Sequence, residues 1–171
     1  MKRLFVLRHA KSSWDDPALE DFNRPLNDRG WKAAERMGRE FKQRELRFDL
    51  VMSSMAARAR ETLDGIRDKL ELNVEVRFEP SMYLASEETL LSLVRALPQE
   101  IHCPLLIGHN PGLERLLVGL THDDDDGLRH RIAHKYPTGA FAAVEFPAHR
   151  WADVTPGSGV IRELILPKEL D

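Results

Sequence analysis

Three short apolar runs constrain the fold of this chain more than any other feature. They are Leu4-Phe5-Val6-Leu7, Leu50-Val51-Met52 and Leu105-Leu106-Ile107, and in none of them do polar residues alternate with the apolar ones. An apolar run without alternation is typical of a strand that is covered on both faces in a parallel sheet. The runs therefore predict three strands of a sheet with helices packed against it.

Segments with helical periodicity lie between and after these runs. Apolar residues recur at helical spacing in four segments, which contain residues 34–41, 59–70, 90–97 and 113–120. Asn27, Ser86 and Asn110 precede three of these segments and are predicted to cap helices, with Pro111 in the first turn of the last helix. Four helices are therefore expected.

The C-terminal third of the chain has a different pattern. Residues 140–146, 151–154 and 160–166 are predicted strands separated by Pro and Gly turns, and residues 74–78 alternate as a further strand would. The whole pattern indicates an α/β three-layer sandwich with a mainly parallel central sheet and helices on both faces. At 171 residues the chain is long enough for one large core and too short for two domains of usual size, so residues 1–171 are predicted to form a single domain.

Charge and cysteine content exclude several classes of function. With 28 acidic and 25 basic residues the net charge is −3, so the chain lacks the general cationic field on which nonspecific nucleic-acid binding depends. Cys103 is the only cysteine, which excludes an intramolecular disulfide and a multi-cysteine zinc site and fits a reducing compartment. The sequence contains no uncharged apolar run of membrane-spanning length. We therefore expect a cytoplasmic protein that binds neither nucleic acid nor membrane.

Polar side chains follow all three apolar runs. Arg8, His9, Ser53, Ser54 and His109 come directly after the runs, and Arg58 and Thr62 lie in the helix that follows the second run. Ligands of open parallel sheets bind outside the carboxyl ends of the strands. If the three strands are neighbours, two guanidiniums and two imidazoles converge there, which predicts a pocket for a phosphoryl group.

An imidazole in such a pocket can react with phosphorus as well as bind phosphate. Neutral histidine is a competent nucleophile, and nearby arginines should lower the pKa of His9 and keep its lone pair available. Arg8, Arg58 and a protonated His109 would then hold the phosphoryl oxygens during transfer. This chemistry needs no metal ion and no cofactor.

Taken one at a time, these residues also have structural explanations. His9 fits a structural histidine at a strand end, Arg58 a solvated helix charge, and His109 part of a capped turn.

The acidic run 123–126, flanked by His122 and His130, is better explained as a solvated loop than as a metal site. Its four consecutive acids point in different directions and lack the alternating spacing of a calcium loop.

Three motifs resemble those of the histidine phosphatase superfamily: Arg8-His9-Ala10, then Ser54 with Arg58-Ala59 and Thr62, and finally Gly108-His109-Asn110-Pro111-Gly112. Further segments are similar to the SixA-type phosphohistidine phosphatase branch: RHAKSSW from residue 8, DFNRPL from residue 21 with Arg29-Gly30, and YPTGAFA from residue 136. The resemblance implies that His9 is phosphorylated and then hydrolysed, while Arg8, Arg58 and His109 hold phosphate. Ser12 and Asn110 are further candidates for phosphate contact.

This chain departs from the broader superfamily at two positions of the first motif and its loop. Ala10 replaces the usual glycine, as in the SixA-type branch. Asp15 stands where many members place an asparagine near the phosphate. An acidic side chain there would repel a dianion, so Asp15 is expected to point away or to pair with Lys11 or Arg24.

The chain also lacks a recognisable general acid. Glu79 lies in the interval where many ester-cleaving members carry one, but its context does not match, and the start of a helix explains Glu87 and Glu88. Imidazole, with a pKa near 6.5, leaves far more readily than an alkoxide, so a missing acid favours phosphohistidine. The expected substrate is a phosphohistidine-bearing signalling or phosphorelay protein, with inorganic phosphate as product. A small-molecule phosphoester phosphatase and a non-catalytic phosphate-binding module remain alternatives.

Overall fold

A six-stranded sheet organises the molecule, for which the computed structural model describes residues 1–170. The strands are β1 (Lys2–Arg8), β2 (Leu50–Ser53), β3 (Val76–Phe78), β4 (Pro104–Gly108), β5 (Phe141–Phe146) and β6 (Val160–Ile165), in the order β3-β2-β4-β1-β5-β6. Strands β1 to β4 are parallel, and β5 and β6 add antiparallel pairs at one side. The three strands predicted from apolar runs, β1, β2 and β4, are direct neighbours with β4 between the other two.

Five helices accompany the sheet. They are α1 (Asp28–Gln43), α2 (Ala57–Arg67), α3 (Glu87–Arg95), α4 (Gly112–Leu120) and α5 (Leu128–His134). Two of the predicted caps are confirmed, because Asn27 Oδ1 accepts from the Gly30 N–H at 2.8 Å and Ser86 Oγ accepts from the Thr89 N–H at 3.2 Å. Helices α1 to α4 correspond to the four predicted periodic segments.

Apolar side chains fill both faces of the sheet. In β1, Leu4 and Val6 belong to the core that packs under α3, α4 and α5, whereas Phe5 and Leu7 belong to the core that packs under α1 and α2. All four side chains are buried. A strand between two apolar layers needs apolar residues at every position, which accounts for the missing alternation. The predicted three-layer sandwich is confirmed.

Two local predictions are wrong, and a third is confirmed only in part. Residues 151–154 do not form a strand: Trp151–Asp153 is a short 3₁₀ helix, and the buried Trp151 donates its indole N–H to the Ile101 carbonyl at 2.6 Å. Pro111 is not in the first turn of α4, which begins at Gly112. The predicted strand 74–78 is shorter, because only Val76–Phe78 pairs with β2.

Helix α5 is the one helix that the sequence pattern did not reveal, and the acidic run 123–126 leads into it. The Asp124 carboxylate accepts hydrogen bonds from the backbone N–H groups of Leu128 at 2.9 Å and Arg129 at 3.3 Å. Asp123 pairs with the Arg129 guanidinium at 3.0 Å. The run therefore precedes a short helix, and Asp124 accepts from the N–H groups of its first turn, where a carboxylate is favourable.

Two further properties concern the described part of the chain as a whole. Every helix within residues 1–170 is too short or too polar to cross a lipid bilayer. In the same residues, no group of three or more His, Cys, Asp and Glu side chains is arranged as a metal-binding cluster.

Candidate active site

A cavity of about 300 Å³ opens at the carboxyl edge of the parallel strands. All six residues to which the sequence assigned phosphate chemistry line it: Arg8, His9, Ser12, Arg58, His109 and Asn110. Lys11, Trp14, Arg24, Leu84 and Thr138 complete the lining. The cavity lies where the sheet topology predicts a ligand site, because β1, β2 and β4 all end there.

His9 and His109 lie beside each other in this cavity. Their ring centroids are 5.2 Å apart, and the ring planes are inclined by 53°. The register of the sheet places them together, because Arg8 is opposite Gly108 in the parallel β1–β4 pair and each histidine is the next residue. Only 6% of His9 and 3% of His109 is exposed to solvent.

One hydrogen bond determines which nitrogen of His9 carries the lone pair. Its Nδ1 lies 2.7 Å from the Ala10 carbonyl oxygen, which only accepts, so Nδ1 is the protonated nitrogen and Nε2 is free. Burial, together with the neighbouring His109, Arg58 and Arg8, lowers the pKa of His9 to about 3 against the opposing effect of the Ala10 hydrogen bond. His9 is therefore neutral at physiological pH, as the sequence predicted.

His109 is held by a serine that directly follows the neighbouring strand β2. Its Nε2 lies 2.8 Å from Ser54 Oγ, and the Tyr83 ring packs edge-on against it with centroids 5.5 Å apart. Burial and then Arg58 lower the pKa of His109 to about 4, with Asp21 partly opposing them. His109 is therefore neutral at physiological pH in the protein without phosphate, and its protonation during phosphoryl transfer stays a prediction. A bound dianion would raise this pKa by stabilising the imidazolium form.

Unpartnered polar atoms cluster at this site. Four buried side-chain nitrogen or oxygen atoms within residues 1–170 have no hydrogen-bond partner, and three of them are Arg8 Nε, Arg58 Nε and His109 Nδ1. Buried polar atoms nearly always find a partner, so such atoms need an explanation. All three belong to side chains that line the same cationic cavity, and a cavity with such a lining attracts anions.

Asp21 anchors the Arg58 side chain. The Arg58 guanidinium donates to the Asp21 carbonyl at 2.7 Å and to its carboxylate at 2.9 Å. Tyr83 donates its hydroxyl to the same carboxylate at 2.5 Å, and Arg24 donates at 3.2 Å. The Tyr83 hydrogen bond, followed by those of the arginines, lowers the pKa of Asp21 to about 2. Asp21 therefore remains a carboxylate at neutral pH.

Thr62 connects the segment that carries His9 to the helix that carries Arg58. Its hydroxyl oxygen accepts from the Ala10 N–H at 2.9 Å, and the hydroxyl donates to the Arg58 carbonyl at 2.6 Å. Thr62 is 1% exposed. The segment that carries His9 and the helix that carries Arg58 are thus linked by one buried side chain.

Asn110 borders the cavity, but both of its polar atoms already have partners. Its Nδ2 donates to the Tyr136 carbonyl at 2.8 Å, and its Oδ1 accepts from the Glu114 N–H at 3.3 Å. The Tyr136 carbonyl also accepts from Arg8 at 3.1 Å, so this carbonyl fixes both side chains. Asn110 precedes α4 by two residues, and its side-chain oxygen accepts from the N–H of Glu114 in the first turn of that helix.

Two carboxylates that the sequence singled out lie outside the cavity lining. Glu79 is not among the lining residues, and its backbone N–H pairs with the Ser53 carbonyl at 2.9 Å. Asp15 is exposed and also absent from the lining, as expected for a side chain that points away. Arg24 pairs with Asp21 instead of Asp15.

The sequence reasoning did not assign a role to Asp21 or Tyr83. Asp21 belongs to the DFNRPL segment that carried part of the family resemblance, but its role was not derivable from strand ends. Asp21 begins the 3₁₀ helix Asp21–Asn23, 37 positions before Arg58, and Tyr83 follows the 3₁₀ helix Pro80–Met82, 25 positions after Arg58. Their contacts depend on how these two segments pack over the sheet edge.

Comparison with known proteins defines the class of this chain. Residues 4–81 match the model of the histidine phosphatase superfamily (branch 1). An uncharacterized protein of Mycobacterium leprae is 30% identical over 151 residues, which is 85% of this chain and 89% of the relative. The chain belongs to the histidine phosphatase superfamily and is a hydrolase with the fold of that superfamily.

Solved structures relate the chain to one branch of that superfamily. A protein of Agrobacterium tumefaciens that is assigned as the phosphohistidine phosphatase SixA is 30% identical, with a TM-score of 0.81 and coverage of 97% of this chain and 98% of that protein. The protein histidine phosphatase SixA in complex with tungstate has the same fold, with a TM-score of 0.79 at 22% identity and coverage of 97% of both chains.

Proposed function

We propose that this protein is a phosphohistidine phosphatase that transfers the phosphoryl group of a phosphohistidine-bearing signalling or phosphorelay protein to His9 and then to water. Inorganic phosphate is the product, and the pathway uses no metal ion or cofactor. The observation that carries the proposal is the pair of buried imidazoles 5.2 Å apart, in one cavity with Arg8 and Arg58.

In the first step, the free lone pair of His9 Nε2 attacks phosphorus. The bond between phosphorus and the substrate imidazole breaks, and its electron pair stays on that imidazole. If the other nitrogen of the substrate ring is protonated, the leaving group is a neutral imidazole. Arg8 and Arg58 stabilise the charge on the phosphoryl oxygens, which is the main catalytic requirement of phosphoryl transfer.

In the second step, water attacks phospho-His9. The bond between phosphorus and Nε2 breaks, and the electron pair returns to the imidazole as the free nucleophile. The proton of the attacking water leaves with phosphate or solvent. The hydrogen bond from Nδ1 to the Ala10 carbonyl keeps the ring in one orientation through both steps.

The carboxylates near the cavity favour an imidazole as the leaving group. Asp21, which lies beside Arg58, has a pKa of about 2 and carries no proton to donate at neutral pH. Glu79 is absent from the cavity lining. An alkoxide leaving group needs a donor, which speeds such reactions by about two to four orders of magnitude, whereas imidazole does not. The similarity to SixA proteins supports the same substrate class.

The test compares two substrates side by side. We expect kcat/KM for a phosphohistidine domain to exceed that for a sugar or nucleotide phosphate by at least about 100-fold, and we expect treatment with a chelator to leave the rate unchanged. A faster reaction with the phosphate ester would overturn the substrate assignment and favour a small-molecule phosphatase.

A second experiment tests the phosphoenzyme. Rapid quenching with a labelled aryl phosphate should trap acid-labile label on His9, and His9→Asn should abolish both label and turnover. His149→Asn is the matched control, because His149 is exposed and follows β5, at the opposite edge of the sheet. Tungstate binding without turnover or label would indicate a non-catalytic binding module.

A further inference from the structure

A second groove continues from the cavity that contains His9. Its volume is about 430 Å³, and it shares Lys11 and Thr138 with that cavity. Six cationic side chains line it: Lys11, Arg29, Lys32, Arg36, Lys135 and Lys168. Within residues 1–170, no Asp or Glu is part of its lining. Lys11, Arg29, Pro137 and Thr138 belong to segments that carry the family resemblance, but the resemblance assigns them no role. The proposed reaction does not account for the groove either.

The fold brings the cations together from four separate parts of the chain, the first of which is Lys11 after β1. Arg29, Lys32 and Arg36 are spaced i, i+3 and i+7 and therefore lie on one face of α1. Lys135 follows α5, and Lys168 lies in the 3₁₀ turn Pro167–Glu169. Arg36 ties the two walls together by donating to the Pro167 carbonyl at 3.2 Å.

These cations are not neutralised by neighbouring acids. Among the ion pairs that residues 1–170 form, none involves any of the six. The chain as a whole has more acidic than basic residues, with a net charge of −3. Uncompensated charges of one sign along a groove repel one another and create a local potential that attracts anions. The groove is therefore a positive region on a negative protein.

We propose that this groove is an exosite for an acidic polypeptide segment of the protein whose phosphohistidine enters the catalytic cavity. The link to phosphohistidine rests on the proposed function, whereas recognition of acidic polypeptide does not. Lys11 lines both cavities, so a segment in the groove would be continuous with the reacting group.

The lining favours a polypeptide over a nucleic acid or a polyphosphate. Four of the six cations are lysines, and all except Arg36 are exposed, in contrast to the buried Arg58 of the catalytic cavity. Exposed lysines are mobile point charges that suit dispersed carboxylates, whereas phosphate is preferentially held by arginine forks. Ala33, Pro137 and Leu166 add apolar surface for the methylene groups of acidic side chains.

Direct binding tests the exosite without catalysis. The probes are a fluorescent peptide of alternating Glu and Gly residues and a matched peptide with Gln in place of Glu, measured by anisotropy at low ionic strength. We expect the Glu peptide to bind about tenfold more tightly than the Gln peptide, and Arg29→Glu/Lys32→Glu to remove that preference. Equal affinity of the native protein for both peptides would overturn the proposal.

Control variants separate the groove from net charge and from folding. Lys42→Glu/Arg47→Glu makes the same change in charge away from the groove. Lys42 lies in the last turn of α1, at the opposite end of that helix from Arg29, and Arg47 precedes β2 at the opposite edge of the sheet. This control variant should retain the preference for the Glu peptide. Glutamate is favourable in the first turns of a helix, so Arg29→Glu/Lys32→Glu should melt at the native temperature.

If single-stranded DNA displaces the Glu peptide more effectively than unlabelled Glu peptide does, the groove serves nucleic acid and the proposal is wrong.

Kinetics connect the groove to the reaction. For Arg29→Glu/Lys32→Glu, the ratio of kcat/KM for a phosphohistidine protein to kcat/KM for an aryl phosphate should fall about tenfold, mainly through KM. An unchanged ratio would contradict the exosite. If the native protein does not hydrolyse the phosphohistidine protein at all, the proposed function fails, while the peptide result still decides the binding proposal.

Discussion

The Arg58 guanidinium and the Asp21 carboxylate lie 2.9 Å apart, although 37 residues separate them in the chain. The arginine side chain is 3% exposed and the aspartate side chain 43%. A cation of the cavity lining is thus partly neutralised, and positioned, by a residue outside that lining. In the proposed mechanism, in which Arg58 binds phosphate, this one carboxylate tunes the affinity for phosphate.

Asp21→Asn should tighten the binding of inorganic phosphate. The Asp21 carbonyl continues to hold Arg58, so the guanidinium stays in place while the competing negative charge is lost. Because Asp21 is partly solvated, the expected decrease in the inhibition constant of phosphate is about two- to fivefold. Competitive inhibition of aryl phosphate hydrolysis measures it, with Asp15→Asn as the exposed control. A weaker inhibition by phosphate would mean that the carboxylate mainly positions Arg58.

Stability should fall in acid because of the two buried imidazoles. The pKa values of His9 and His109 in the folded protein are about 3 and about 4, below the ordinary value of 6.5. At pH values between the folded pKa values and 6.5, the unfolded chain therefore binds more protons than the folded protein. The free energy of unfolding decreases as the pH is lowered through 6.5. The two groups contribute a slope of at most about 2.7 kcal/mol per pH unit.

Urea titrations at a series of pH values measure that slope. In His9→Gln the slope between pH values of about 6 and 4.5 should be smaller by about 1.4 kcal/mol per pH unit, which corresponds to one proton. His149→Asn should keep the native slope, because His149 is exposed. A native slope in His9→Gln would show that His9 is not buried in its neutral form.

Thr62→Val should damage both stability and activity. Valine has nearly the shape of threonine but leaves the Ala10 N–H without its partner at a buried position. The expected loss in the free energy of unfolding is about 1–3 kcal/mol. The segment carrying His9 also loses its link to the helix carrying Arg58, so kcat should fall as well. Thr62→Ser keeps the hydroxyl and should restore kcat; failure of serine to do so would point to packing instead of the hydrogen bonds.

Tyr83→Phe should raise the pKa of Asp21. The Tyr83 hydroxyl is the largest cause of the shift of that pKa to about 2, so its removal should move the value toward the ordinary 3.8. NMR titration of the carboxyl carbon measures the change. Tyr136→Phe is the control: its buried hydroxyl donates to the Val6 carbonyl at 2.7 Å, and its loss should lower stability without moving the pKa of Asp21. An unmoved pKa in Tyr83→Phe would show that Arg58 alone keeps Asp21 ionised.

Much of the catalytic cavity was predictable because it depends on strand ends. The apolar run 4–7 determines where β1 ends, and Arg8 and His9 must follow it. The same holds for His109 after β4. Polar residues do not alternate with the apolar ones in any of the three runs, and this pattern predicted parallel strands that are covered on both faces. The carboxyl ends of such strands share one edge of the sheet. The wrong strand at 151–154 shows the limit of this reasoning, because a single buried side chain, Trp151, decides that segment.

The amino-acid sequence by itself determined the strands, most helices and the position of Arg8, His9 and His109 at one edge of the sheet. These features depend on the periodicity of apolar residues that are close together in the chain. Only the tertiary structure decided the Asp21–Arg58 pair, the extent to which burial lowers the pKa values of both imidazoles, and the meeting of α1 cations with Lys135 and Lys168. These features depend on distances between segments far apart in the chain and on the exclusion of water, and both arise only when the layers pack.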